Sequence, residues 1–160
     1  MINIGLIGTG NRGVSLGSNI NDLEGCSLTA LADLNSVRLK EASKDLEVDS
    51  DNCFEDYNEL LDLDSIDGVI VAVPDYAHTE VVLDSIRKEK DIYCEKVMAT
   101  TIEDCNRIQQ AVEDSDIIFY AGHNVRFRQS ARKLNQLIKA GELGDVKMVW
   151  ARRFVEGSKY

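Results

Sequence analysis

A short, mostly apolar run, Ile2-Asn3-Ile4-Gly5-Leu6-Ile7, leads directly into Gly8-Thr9-Gly10-Asn11-Arg12-Gly13. A strand followed at once by a G-x-G-x-x-G turn constrains this chain more than any other feature. Gly8 permits the tight turn, Gly10 lets a pyrophosphate approach the backbone, and Gly13 lets the next helix pack close to the strand. The start of that helix offers unpaired N–H groups and a partial positive charge to phosphate. Glycine-rich turns are common, so the motif is informative only in context.

The context is an acidic residue closing the second strand. Asp33 stands twenty positions after Gly13, in Leu28-Thr29-Ala30-Leu31-Ala32-Asp33. A carboxylate there accepts hydrogen bonds from ribose hydroxyls and repels a 2′-phosphate, which favours NAD over NADP. Arg38 softens that preference if its helix points it inward, so NADP stays possible. One competing reading is a structural glycine turn beside a solvent-exposed aspartate. Another is an S-adenosylmethionine-dependent methyltransferase, which uses a similar loop and acid but has less need of the third glycine.

Short apolar runs alternate with longer amphipathic stretches along the rest of the chain. Strands are expected at Ile2–Ile7, Ser27–Ala32, Gly68–Val73, Asp91–Cys94, Ile117–Tyr120 and Val146–Arg153, with a further short piece at Asn52–Phe54. Nearly continuous apolar runs suit parallel strands covered on both faces. Helices are expected over Tyr76–Arg87, with Ala77, Val81, Val82 and Ile86 on one face, and over Ser130–Ala140, ended by Gly141. Asn35 or Ser36 can cap a helix through Val37 and Leu39, and Thr100 or Thr101 one through Ile108 and Val112. The alternation predicts an α/β fold with a doubly wound, mostly parallel Rossmann sheet. Val146–Arg153 carries internal charges and reads as the first strand of a second α/β domain, exposed on one face, so that it either pairs with another chain or leaves the end disordered after about Asp145.

The 160 residues carry a formal net charge of -10, which disfavours nucleic acid and anionic lipid as partners. No basic stretch precedes Ile2 as in a signal peptide, and no apolar run approaches the ~18 residues of a membrane span. Cys26, Cys53, Cys94 and Cys105 form no C-x-x-C pair and read as buried reduced thiols, so a cytoplasmic location is expected. His78 and His123 have no zinc-site spacing, and no metal is expected. There is no G-x-x-x-x-G-K-[ST] loop, and Tyr93 and Lys96 are one residue too close for a Tyr-x-x-x-Lys pair. Arg126, Arg128, Arg132 and Lys133 read as a solvated helix face, or as a surface facing an anionic substrate.

Two further clusters stand at strand ends, where open α/β sheets bind ligands. One is Val73-Pro74-Asp75-Tyr76-Ala77-His78; the other is Tyr93-Cys94-Glu95-Lys96-Val97-Met98. A lysine at the second position can polarise a substrate oxygen or move its proton. His78 as a helix-surface residue and Lys96 as a solvated one are the plainer alternatives.

Taken in order, these segments resemble the N-terminal half of the glucose–fructose oxidoreductase/inositol dehydrogenase (Gfo/Idh/MocA) family. The resemblance rests on Gly8–Gly13, Asp33, Val69–His78 (similar to T-P-N-x-x-H) and Glu95-Lys96 (similar to E-K-P). It continues through Gly122-His123-Asn124-Val125-Arg126-Phe127 (similar to N-R-R-F) and Leu137–Val146. It implies a nicotinamide-dependent oxidoreductase acting on the secondary alcohol of a sugar, polyol or related small molecule. Lys96 would be the catalytic residue. Gly8, Thr9, Gly10, Asn11, Arg12, Gly13, Asp33, Val73, Pro74, His78, Glu95, Lys96, Asn124 and Arg126 would hold the cofactor. Residues 1–122 would be the dinucleotide-binding domain, and 123–160 the connecting helix and first strand of an incomplete substrate domain. The chain alone would be inactive, and the full-length protein a homo-oligomer. A stand-alone nucleotide-binding regulatory module is a competing function. Two departures from the family pattern matter. Asp75 replaces Asn, adding negative charge near the cofactor. Val97 replaces Pro, which predicts a trans Lys96–Val97 bond and a differently shaped loop.

Overall fold

The computed structural model describes residues 1–152. They form two compact units that meet in sequence at His123 and Asn124. The first unit contains six strands: β1 (Ile2–Ile7), β2 (Cys26–Ala32), β3 (Cys53–Phe54), β4 (Gly68–Val71), β5 (Asp91–Cys94) and β6 (Phe119–Ala121). They build one sheet in the order β3-β2-β1-β4-β5-β6 with every pair parallel. Such a sheet needs helical crossovers. These are α1 (Asn11–Asn21), α2 (Ser36–Asp45), α3 (Tyr57–Leu61), α4 (His78–Arg87) and α5 (Ile102–Glu113).

The pleat sends neighbouring residues to opposite faces. Leu6 and Ile70 join Leu28, Leu31, Leu39 and Leu46 in the core beside α1 and α2. Ile7, Val69 and Val71 join Leu61, Val82 and Ile108 in the other core, beside α3, α4 and α5. All four residues of β4 are buried, as a central parallel strand requires. Beyond α1, the first face carries a groove of about 410 Å³ whose lining includes Ile4, Ile20, Ile70 and Tyr93.

The chain turns from β1 to β2 on one side, while β4 lies on the other. This reversal of strand order opens a crevice at the carboxyl ends of β1 and β4, the usual ligand position in open α/β sheets.

Local signals explain most boundaries. Asn35 caps α2, its side chain accepting from the N–H groups of Val37 and Arg38. Thr101 caps α5 by accepting from Asp104 N. β4 ends at Val71 rather than Val73, and a 3-10 turn at Asp75–Ala77 precedes α4, so that helix starts at His78 rather than Tyr76. Pro74 has no N–H to continue a ladder and sets up the turn, with Ala77 N donating to its carbonyl. The last strand, β6, lies at Phe119–Ala121, slightly later than the apolar run Ile117–Tyr120 suggests. Ile118 is 70% exposed, and its N–H goes to the Asp91 side chain instead of the ladder.

The second unit holds a 3-10 turn at Asn124–Phe127 and α6 (Gln129–Lys139). Gly141 follows α6 at φ 72 and donates to Ile138 O, as a C-terminal cap does. The strand expected at Val146–Arg153 does not form over Val146–Arg152, and Arg153 lies outside the described residues. A strand needs a hydrogen-bonded partner, and all six described strands belong to the first unit's sheet.

Candidate functional site at the carboxyl edge of the sheet

The turn after β1 is built on backbone constraints. Gly8 has φ +96, and a Cβ there would lie 2.6 Å from Ala72 O. A Cβ on Gly13 would lie 1.9 Å from Gly8 O. Both positions therefore demand glycine for the fold itself. Gly10 differs. It has an ordinary extended backbone (φ -67, ψ 174), and a Cβ there would meet nothing within 4 Å. The fold does not need glycine at this position, whereas a close-approaching ligand does. Gly10 is also the N-cap of α1 and supplies no side-chain cap, and no acidic residue occupies the helix's first turn. The opening N–H groups are thus available to an outside acceptor. These features fit the pyrophosphate of a dinucleotide.

Asp33 lies beside this turn. Its Oδ2 accepts from Thr9 N (2.8 Å) and Thr9 Oγ1 (3.0 Å). Its Oδ1 accepts from Asn35 N (2.8 Å) and Arg38 Nη2 (3.2 Å). Partial burial alone would raise the Asp33 pKa. The bonds from Asn35 and Thr9, with the Arg38 charge, outweigh that and hold the carboxyl below its ordinary range. The helix does point Arg38 inward, onto this carboxylate.

The glycine turn is tied to the end of β5. Arg12 Nη2 donates to Glu95 Oε1 at 2.6 Å, and the Glu95 side chain is only 7% exposed. Tyr93 donates its hydroxyl to the same oxygen at 3.3 Å and stacks on Tyr120, with ring centroids 5.5 Å apart. Hydrogen bonding to Glu95 raises the Arg12 pKa further above its ordinary value. The pairing spans 83 residues, so no sequence spacing announces it. Gly122 closes the arrangement, since a Cβ there would come within 2.7 Å of the Tyr93 hydroxyl.

Lys96 follows Glu95 and is exposed, its N–H donating to Glu95 Oε2 at 3.3 Å. The Lys96–Val97 peptide is cis, not the trans bond that valine predicts. Val97 O lies 2.6 Å from Nδ1 of His78, and Val73 O lies 3.0 Å from Nε2. His78 is 0% exposed. It is neither on the helix surface nor turned toward open solvent; it braces the loop after β4 against the loop after β5. Val73 is half-buried, and Pro74 and Asp75 are exposed at the same edge. Asn124 and Arg126 are exposed residues of the second unit.

The sequence reading missed three parts of this site: the Thr9 hydroxyl on Asp33, the Tyr93–Glu95–Arg12 chain, and the bracing position of His78. Among the described residues, no group of His, Cys, Asp or Glu could hold a metal ion.

Residues 2–123 match the profile of the Gfo/Idh/MocA group, described as "Oxidoreductase family, NAD-binding Rossmann fold". The chain belongs to this family. Among its Gfo/Idh/MocA relatives is a myo-inositol 2-dehydrogenase of Thermotoga maritima, 28% identical over 88% of this chain and 42% of that protein. A 2,7-anhydro-N-acetylneuraminate hydratase of Escherichia coli is 29% identical over 96% of this chain and 40% of its own length. The crystal structure of scyllo-inositol dehydrogenase from Lactobacillus casei with bound NAD(H) and scyllo-inositol matches with a TM-score of 0.85 and 28% identity. That match covers 91% of this chain and 43% of the other. This Gfo/Idh/MocA chain thus spans about two fifths of the length of such relatives. The cofactor indicated by the family is NAD. The matches favour neither the methyltransferase nor the regulatory-module alternative.

Proposed function

We propose that the chain is the NAD-binding half of an oxidoreductase that transfers a hydride between a nicotinamide cofactor and a secondary alcohol of a sugar, polyol or related small molecule. The observation that carries this reading is the 2.6 Å Arg12–Glu95 ion pair, which couples the glycine turn to the strand end bearing Lys96. Pyrophosphate would lie on the N–H groups after Gly10, and the adenosine ribose on Asp33. Glu95 and His78 hold the Lys96 loop from two sides. Bound NAD would supply the hydride acceptor. Lys96 Nζ would polarise the substrate oxygen or take part in moving its proton. Val73 and Pro74 would flank the cofactor.

The inositol dehydrogenases among the relatives support a polyol or carbohydrate substrate. Their greater length supports a need for residues beyond these 160 in turnover. Free thiols at all four cysteines support a reducing compartment such as the cytoplasm, and among the described residues no helix is long and apolar enough to cross a membrane.

The test is turnover of the full-length protein that carries this chain, followed as nicotinamide absorbance with NAD and a panel of polyols and sugars. Activity is expected with at least one secondary alcohol, and Lys96→Ala should lower kcat by about 10²-fold or more. No turnover across the panel would contradict the substrate class. Wild-type turnover by the alanine variant would remove Lys96 from the reaction.

A further inference from the structure

Asp33 offers a ligand less than its position suggests. A carboxylate has about four acceptor sites, and here four donors occupy them. Two are backbone N–H groups fixed by the local turns. A third is the hydroxyl of Thr9, a residue 4% exposed. The fourth is Arg38, whose bond is the longest of the set at 3.2 Å and whose side chain is 55% exposed. Arg38 is therefore the donor a ribose hydroxyl displaces most easily. It is also the only cation of the four. Its bond to Asp33 engages one nitrogen of a guanidinium that carries five N–H donors.

We propose that the Asp33–Arg38 pair makes the adenosine end of this site bispecific, accepting the 2′-phosphate of NADP(H) on Arg38 as well as the free ribose of NAD(H) on Asp33. The inference rests on the reading that the adenosine ribose lies at Asp33. With NAD(H), a ribose hydroxyl takes Oδ1 and Arg38 turns outward. With NADP(H), Arg38 keeps its bond to Asp33, offsets the carboxylate charge, and presents its remaining donors to the phosphate in the planar geometry that suits it. Glu41 and Asp45, one and two turns further along α2, line the same pocket of about 350 Å³. Their negative charge limits the gain, so the site tolerates the phosphate without preferring it.

The test is calorimetric titration of the 160-residue chain, and of Arg38→Ala and Arg38→Lys variants, with NADH and NADPH. The wild type should bind NADPH more weakly than NADH, but by no more than about tenfold. Arg38→Ala should weaken NADPH by about tenfold or more, the worth of one charge-assisted hydrogen bond. It should leave NADH unchanged or bind it a few-fold more tightly, because Oδ1 is released. Arg38→Lys should keep an intermediate NADPH affinity. Opposite responses of the two cofactors cannot come from a general loosening of the fold. A wild type that discriminates against NADPH by more than about tenfold, or an alanine variant that shifts both cofactors equally, would overturn the inference. Failure of both cofactors to bind would instead overturn the proposed cofactor function, and this inference with it.

Discussion

Gly10 and Gly13 lie three residues apart in one motif, yet the structure gives them opposite physical roles. Gly10→Ala places a methyl group where nothing lies within 4 Å, on a backbone at φ -67 that alanine adopts freely. The unfolded chain loses freedom, a gain of about 0.4–1 kcal/mol, while alanine is the poorer helix cap by a similar amount. Stability should therefore change by less than about 1 kcal/mol. Gly13→Ala places its methyl 1.9 Å from a backbone oxygen, where real contacts stay beyond 3.0 Å. Turn and helix must separate by about an ångström, at a cost of about 1–3 kcal/mol, or roughly 3–10 °C in Tm for a unit of this size. For NADH the order reverses. The Gly10 methyl occupies the approach path of the pyrophosphate, and losing one charge-assisted hydrogen bond (about 1.5–3 kcal/mol) weakens binding about 10- to 150-fold. Thermal melts by circular dichroism and calorimetric NADH titrations separate the two. A Gly10→Ala chain that binds NADH like the wild type, or melts as low as Gly13→Ala, would refute the assignment of Gly10 to the ligand.

Other outcomes follow from the same geometry. Arg12→Ala leaves the Glu95 carboxylate buried without its cation and should cost about 1–3 kcal/mol in denaturant melts, held to that range by the exposure of Arg12 itself. Asp33 has a folded pKa below its unfolded one, so its stabilisation is present above the ordinary aspartate range near pH 4 and is lost as pH falls through the depressed value. Asp33→Asn should flatten that part of the acid limb in pH-dependent melts; an unchanged limb would contradict the bonding seen at this carboxylate. Burial first, then Glu95 and Asp75, push the Cys94 thiol up to about 12. Native thiol titration near pH 7.5 should therefore modify Cys94 last, only after unfolding exposes it.

Most of the order of elements was legible because most strands and helices carried a local signal. β4 is continuously apolar, Asn35 and Thr101 are strong caps, and Pro74 and Gly141 mark ends. The short helix α3 was missed, although Asp56 caps it by accepting from Asn58 N. Five residues hold too little periodicity to stand out beside that one cap. The strand at Val146–Arg152 failed for the opposite reason: β propensity without a partner does not make a strand. In the site, the glycines and Asp33 were readable because backbone shape and charge act locally. The Arg12–Glu95 pair and the His78 brace were not, because each joins loops brought together only when the parallel sheet forms.

The most direct test of the central claim is amide chemical-shift mapping of NADH on the isotope-labelled 160-residue chain. The account predicts that NADH shifts the amides of Thr9–Gly13, Asp33–Asn35, Val73, Asp75 and Glu95–Met98, and leaves Ile20, Leu23 and Ile118, beside the apolar groove, unchanged. Millimolar NADH that moves none of the first group, or that moves only the groove residues, would contradict it.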